Sequence, residues 1–141
     1  MDRPAFQAPA YIQFYPTLRC NMSCSFCFNR SLPETPDADP ADVEKMASAC
    51  SRLGIEHIDF LGGEPTMHPD LARLVGAICR HGLRVTLSSN GSRPDALRAL
   101  SRQFPGDSVR IGISVNSDTL SRGLDAYIRA RRPILKSVFT K

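Results

Sequence analysis

The chain contains no tryptophan, and no apolar run in it approaches the roughly 18 residues that a membrane-spanning helix needs. It opens on no apolar segment of signal-peptide type. Both absences argue for a cytoplasmic protein. Five cysteines, an odd number, cannot close a full disulfide framework, and a reducing compartment accords with that. Excess positive charge is also missing from most of the chain. From Ser121 onward Arg122, Arg129, Arg131, Arg132, Lys136 and Lys141 face only Asp125, a local charge of +5 within a chain total of +4, so everything before them sums to about −1. No aromatic residues interleave with these arginines in a stacking pattern, so the basic end reads as a solvated helix face and tail, and not as a surface for nucleic acid. With 141 residues, 42% of them hydrophobic, residues 1–141 read as one domain able to bury a core.

What the chain does have is three thiols within eight residues, Cys20-Asn21-Met22-Ser23-Cys24-Ser25-Phe26-Cys27. On one short loop they can all turn inward, which suits a cubane iron-sulfur cluster, since thiolates are its usual ligands. Three thiolates leave one iron of such a cluster open for a substrate or cofactor, a catalytic arrangement more than an electron-storing one. The alternative is a Cys3His zinc site completed by His57, His68 or His81. Structural zinc sites, however, usually pair two close ligands with two distant ones. Cys50 and Cys79 fall on apolar helical stripes and read as small core residues, so no motif for an auxiliary cluster is present.

The Cys-x-x-x-Cys-x-aromatic-Cys loop, with Phe26 directly before the third thiol, resembles the cluster loop of the radical S-adenosylmethionine superfamily. The resemblance implies that Cys20, Cys24 and Cys27 bind a 4Fe-4S cluster whose open iron chelates the amino and carboxylate groups of S-adenosylmethionine. It further implies an electron donor such as flavodoxin or ferredoxin. The delivered electron then cleaves the sulfonium to a 5'-deoxyadenosyl radical that abstracts hydrogen from a substrate the sequence does not identify. Gly62-Gly63-Glu64-Pro65 is similar to the family's second signature, where this turn and its Glu receive the cofactor's amino group. By the same resemblance Ser88 or Ser89, in Ser89-Asn90-Gly91, contacts the cofactor. Ser114 contacts its ribose, and Asn116 stands where many members carry an aspartate.

In chain order, residues 1–10 form an irregular lead-in, and Tyr11–Tyr15 a strand that ends just before the cluster loop, where catalytic loops of alternating barrels sit. A Pro-rich loop over 31–40 leads to a helix begun by Asp39-Pro40. Strands follow at 55–61, 83–88 and 109–115, alternating with helices begun by Pro69 and Pro94. Asp118 caps a last helix carrying Leu120, Leu124, Tyr127 and Ile128, and 134–140 form a fifth strand within a terminal strand and tail over 133–141. His68, at a helix entry, reads as structural. In the fourth strand Gly112 and Ser114 point into the interior.

The expected fold is therefore α/β, a partial barrel of about five parallel strands with outer helices. The resembled core has six strands, so this is a short or truncated member, or a partner supplies the rest. The competing function is a non-catalytic or partner-dependent iron-sulfur or zinc module with an incomplete barrel. It would associate with a second copy or a partner through the open strand edge.

Overall fold

The computed structural model describes residues 9–116 and 119–138. Among them strand and helix alternate: β1 (Tyr11–Phe14), α1 (Pro40–Arg52), β2 (His57–Phe60), α2 (Leu71–Arg80), β3 (Arg84–Ser89), α3 (Pro94–Gln103), β4 (Val109–Ser114), α4 (Arg122–Arg131) and β5 (Ile134–Lys136). Single 3-10 turns, Phe28–Ser31 and Pro65–Met67, follow β1 and β2. All strand pairs are parallel, in the order β1-β2-β3-β4-β5, and the sheet is not closed. This is the α/β partial barrel that the alternation of patterns predicts.

The register explains the two faces of the sheet. Ile58 pairs with Val85, Phe60 with Leu87, and Leu87 with Ile111. These side chains and Ile113 point to the helices and are buried with Val43, Ala47, Leu74, Val75, Ile78, Leu97, Leu100 and Tyr127. Each buried Val, Leu, Ile or Phe among them contributes about 1.5–3 kcal/mol by leaving water, so this face holds the sheet together. The opposite face carries Gln13, Asp59, Thr86, Ser88, Gly112 and Ser114 at matching register positions. A sheet covered by helices on both sides reads apolar throughout; this one alternates, so one face lines a polar space.

At the strand ends the expected boundaries move by a residue or two, and one expectation fails outright. Ser121, not Asp118, caps α4, its Oγ accepting from the Leu124 N–H at 3.2 Å. Leu120 precedes the helix and is exposed. The physical reason is distance along the chain, since a cap must stand directly before the first helical residue to reach the free N–H groups of the first turn. Asp118 lies outside the described residues, as do Ser117, most of the 1–10 lead-in and the Phe139–Lys141 end of the expected fifth strand. Within the described residues β5 ends at Lys136. No helix among the described residues is long and apolar enough to cross a membrane.

Candidate functional site

The three thiols are unpaired and lie on the loop that leaves β1, Cys20 exposed and Cys24 and Cys27 partly so. A local turn places two of them together: the Cys27 N–H donates to the Cys24 carbonyl at 3.1 Å, and the Phe28–Ser31 3-10 turn follows at once. A turn closed from i to i+3 brings its end residues within about 7 Å. Phe26 is exposed beside them, and Phe28 packs edge-on against Tyr15 with ring centroids 6.0 Å apart. Among the described residues no three His, Cys, Asp or Glu side chains converge as one mononuclear ion would require. A 4Fe-4S cluster asks for less, since each thiolate binds a different corner iron, and the all-thiolate donor set is the one it takes.

The histidines offered as a fourth zinc ligand are each held by protein partners. His57 Nε2 meets Thr86 Oγ1 at 2.8 Å and Asp59 at 3.0 Å, and His81 Nε2 meets Glu44 at 2.7 Å. His68 is buried, its Nδ1 accepting from the Asp70 N–H and its Nε2 donating to the Ala38 carbonyl, both at 3.0 Å. The carbonyl can only accept and the N–H only donate, so both ring nitrogens serve the fold, as the sequence reading expects. Burial pushes the Cys50 and Cys79 thiols up from their ordinary pKa, which keeps them protonated core residues.

The segment leading to the thiols is pressed against the turn after β2. Gly63 donates to the Thr17 carbonyl at 3.0 Å and Glu64 to the Arg19 carbonyl at 2.7 Å. Gly62 has φ 107°, in the region that favours glycine. A Cβ on Gly63 would overlap the Arg19 backbone carbonyl. The close approach that this Gly-Gly turn permits is thus of chain on chain. Asp37, in the Pro-rich loop, clamps the same segment: it accepts from Thr17 Oγ1 at 2.6 Å and forms an ion pair with Arg19. The Arg19 hydrogen bond holds the Asp37 carboxyl below the ordinary carboxylate range.

Glu64 is 1% exposed. Its Oε1 accepts from Thr66 N–H at 3.1 Å, Thr66 Oγ1 at 2.6 Å and Ser89 Oγ at 2.8 Å, and its Oε2 from the Asn90 N–H at 2.7 Å. The carboxyl therefore fastens the β2 turn to the β3 turn. Pro65 begins the 3-10 turn that Glu64 caps, and Arg93 and Arg19 donate to the Thr66 and Met67 carbonyls at 2.5 and 2.9 Å. Ser89 is buried on the helix side of β3, its hydroxyl given to Glu64, whereas Ser88 faces the polar space. The pleat separates the two serines, which the Ser-Ser pair alone could not do.

Ser114 ends β4 on the polar face. The room left at Gly112 is filled by Lys136, whose Cε would lie 3.0 Å from a Cβ there and whose Nζ donates to Ser88 Oγ at 2.7 Å. Asn116 Oδ1 accepts from the Val138 N–H at 3.3 Å, joining the exits of β4 and β5. Sequence reasoning missed a polar cluster beside Cys20: Asn21 in the thiol loop itself, and Ser92 and the Asn90 side chain, which the fold brings to it. Asn21 Nδ2 donates to Ser92 Oγ at 2.9 Å and Asn90 Nδ2 to Asn21 Oδ1 at 3.0 Å. Asn90-Gly91 signals a turn whatever its side chain does, so no pattern marks this second role. Asn29 Oδ1 is buried with no hydrogen-bond partner among the described residues, while its Nδ2 donates to the Leu18 carbonyl at 2.8 Å.

Exchange of Glu64 for glutamine tests this fastening. With its remaining oxygen kept toward the three donors at Oε1, the new amide N–H2 faces the Asn90 N–H, two donors in a buried place. The expected cost is about 1–3 kcal/mol, read as a melting temperature lowered by several degrees and as faster hydrogen exchange at Asn90. An unchanged melting temperature would show that Glu64 does not join the turns.

A sequence model described as the Radical SAM superfamily matches residues 14–136, nearly all the described chain. Curated relatives include a probable GTP 3',8-cyclase of Pyrococcus horikoshii, 29% identical over 107 residues, covering 75% of this chain and 33% of that protein. A GTP 3',8-cyclase of Erythrobacter litoralis is 31% identical over 136 residues, covering 92% of this chain and 40% of that protein. This chain thus spans about a third of the length of the curated relatives it matches. The crystal structure of Streptococcus suis SuiB bound to S-adenosylmethionine superposes with a TM-score of 0.70 at 20% identity, over 79% of this chain and 26% of that one.

Proposed function

The chain belongs to the radical S-adenosylmethionine superfamily, and from that premise we propose that it carries the superfamily's shared step, reductive cleavage of S-adenosylmethionine at a 4Fe-4S cluster. One observation carries the reading: the loop of three free thiols is seated against the turns that end β2 and β3, through Thr17 and Arg19 on the first and Asn21 on the second, where a polar face opens. Strand ends of such sheets are where alternating α/β folds place ligands.

Cys20, Cys24 and Cys27 would hold the cluster. When bound, the cluster would supply the electron that breaks a carbon-sulfur bond of the cofactor's sulfonium. Phe26, exposed between two thiols, would shield it from water. The turn Gly62–Pro65 would offer backbone carbonyls to the cofactor's ammonium, which needs acceptors. Glu64 holds that turn, and its Oε2, with a single protein donor, is the carboxyl oxygen with capacity for a further N–H. Ser114 on the polar face would meet the ribose; Asn116 and Ser89 would act through the strand exits and turns they fasten. The relatives' names carry GTP cyclisation, yet this chain matches only about a third of each. The proposal is therefore confined to the step common to the superfamily, with an external one-electron donor such as flavodoxin or ferredoxin.

β5 supports a second reading, the partner-dependent module. Ile134 and Leu135 are exposed on a three-residue edge strand, and an apolar open edge invites a further strand from this protein or a partner.

The test is anaerobic reconstitution, with iron and sulfide counted and 5'-deoxyadenosine measured under a strong reductant. About four irons and four sulfides per chain are expected, with 5'-deoxyadenosine formed. Stoichiometric zinc without sulfide would overturn the reading. An intact cluster that yields no 5'-deoxyadenosine would hand it to the partner-dependent, non-catalytic module.

A further inference from the structure

Asn90 engages its backbone N–H and both polar atoms of its side chain, and these lead in different directions. Its backbone N–H donates to Glu64 Oε2 at 2.7 Å. Its Oδ1 accepts from the Ser92 N–H at 2.9 Å. That contact fixes the amide orientation, because an N–H can be met only by the oxygen. Nδ2 is therefore the atom turned toward the thiol loop, where it donates to Asn21 Oδ1 at 3.0 Å and lies 3.9 Å from Cys20 Sγ. Asn21 is in turn held by Ser92, so the amide has little freedom to leave. Local chain geometry gives Cys20 no equivalent of the turn that pairs Cys24 with Cys27.

We propose that Asn90 is a positioning residue for Cys20, its side-chain N–H directed at the sulfur, and that it sets the reduction potential of the metal group those thiolates hold. The inference rests on the cluster assignment made above. A hydrogen bond to a thiolate ligand is charge-assisted, and it strengthens as the cluster gains negative charge. It therefore stabilises the reduced form and raises the potential; hydrogen bonds to the ligand sulfurs are among the factors that set it. Because the same residue's backbone holds Glu64, the sulfur and the turn facing the cofactor share one anchor.

Two variants separate this role from simple maintenance of the turn. Asn90→Asp keeps an oxygen for the Ser92 N–H and removes the donor to sulfur. Asn90→Ala removes the donor without adding charge, so a shift in that variant cannot come from a new anion. Each is reconstituted anaerobically, its iron and sulfide counted, and its midpoint potential measured by electron paramagnetic resonance during a redox titration. Both variants are expected to fold and to carry the cluster at a lower midpoint potential than the parent, with the larger shift in Asn90→Asp. Parent-like potentials in loaded Asn90→Asp and Asn90→Ala would overturn the proposal while leaving the cluster assignment standing. Should one variant fail to load, the potential of the other decides. A parent that takes up no sulfide-bearing cluster overturns both, and the parent iron and sulfide count tells the two failures apart.

Discussion

Cys24→Ala protein, reconstituted anaerobically with iron and sulfide, is expected to return with both at background and with no 5'-deoxyadenosine. Cys24 sits at the start of the turn that its carbonyl closes with the Cys27 N–H. Alanine leaves that backbone bond intact, so the loop keeps its shape and loses only a sulfur. Two thiolates from one loop cannot hold a four-iron cluster, and ligand loss of this kind acts on the metal directly. The fold is expected to survive, since the Cys24 side chain is partly exposed and contributes no core contact. Far-ultraviolet circular dichroism unchanged from the parent, together with absent charge-transfer absorbance, is the combined readout. A variant that still bound iron and sulfide at parent levels would remove Cys24 from the ligand set.

Gly63→Ala is expected to be the most damaging single methyl in the molecule. The added carbon would run into the backbone of Leu18 and Arg19, which cannot rotate away as a side chain can. Relief requires the thiol-bearing segment to lift off the β2 turn, with loss of the Gly63–Thr17 and Glu64–Arg19 hydrogen bonds. Overpacking and two lost hydrogen bonds together amount to roughly 2–4 kcal/mol, or a melting temperature lower by about 10 °C. Cluster loading should fall with it, because the loop loses its seat. Gly76→Ala is the contrasting substitution: within α2 its Cβ would meet Arg80 Nη1 at 3.5 Å, ordinary contact. Helix propensity then favours alanine by about 0.5–1 kcal/mol. If Gly63→Ala melted with the parent, the seat of the loop would have to lie elsewhere than on the Gly62–Glu64 turn.

Much of the molecule follows from short-range rules that a sequence displays. Alternation in β3 and β4 set Val85, Leu87, Ile111 and Ile113 on one face and Thr86, Ser88, Gly112 and Ser114 on the other, since strand side chains repeat every two residues. Apolar spacing in α1 and α2 placed Val43, Ala47, Leu74 and Ile78 in the core. The Cys24–Cys27 half of the thiol motif belongs here too, because one i to i+3 hydrogen bond brings the two residues' backbones near each other.

The remainder was decided by contacts between residues far apart in the chain. Ser89 was legible as a polar strand end, but only the pairing of β2 with β3 turned its hydroxyl onto Glu64, 25 residues away. Glu64 stood out as an acidic residue in a glycine turn; two of the four hydrogen bonds its buried carboxyl accepts come from Thr66 nearby, and the other two, from Ser89 and Asn90, depend on β3 lying alongside. The room predicted at Gly112 exists, and the side chain that fills it, Lys136, arrives from the neighbouring strand. Asn90 meets Asn21 across 69 positions and Cys20 across 70. Local propensity is blind to such pairs, because a turn forms equally well whichever way its side chains point. The sequence by itself determined which thiols and which turns this protein has. Only the packed sheet, bringing the exits of β1, β2 and β3 together, decided which polar group stands beside which sulfur.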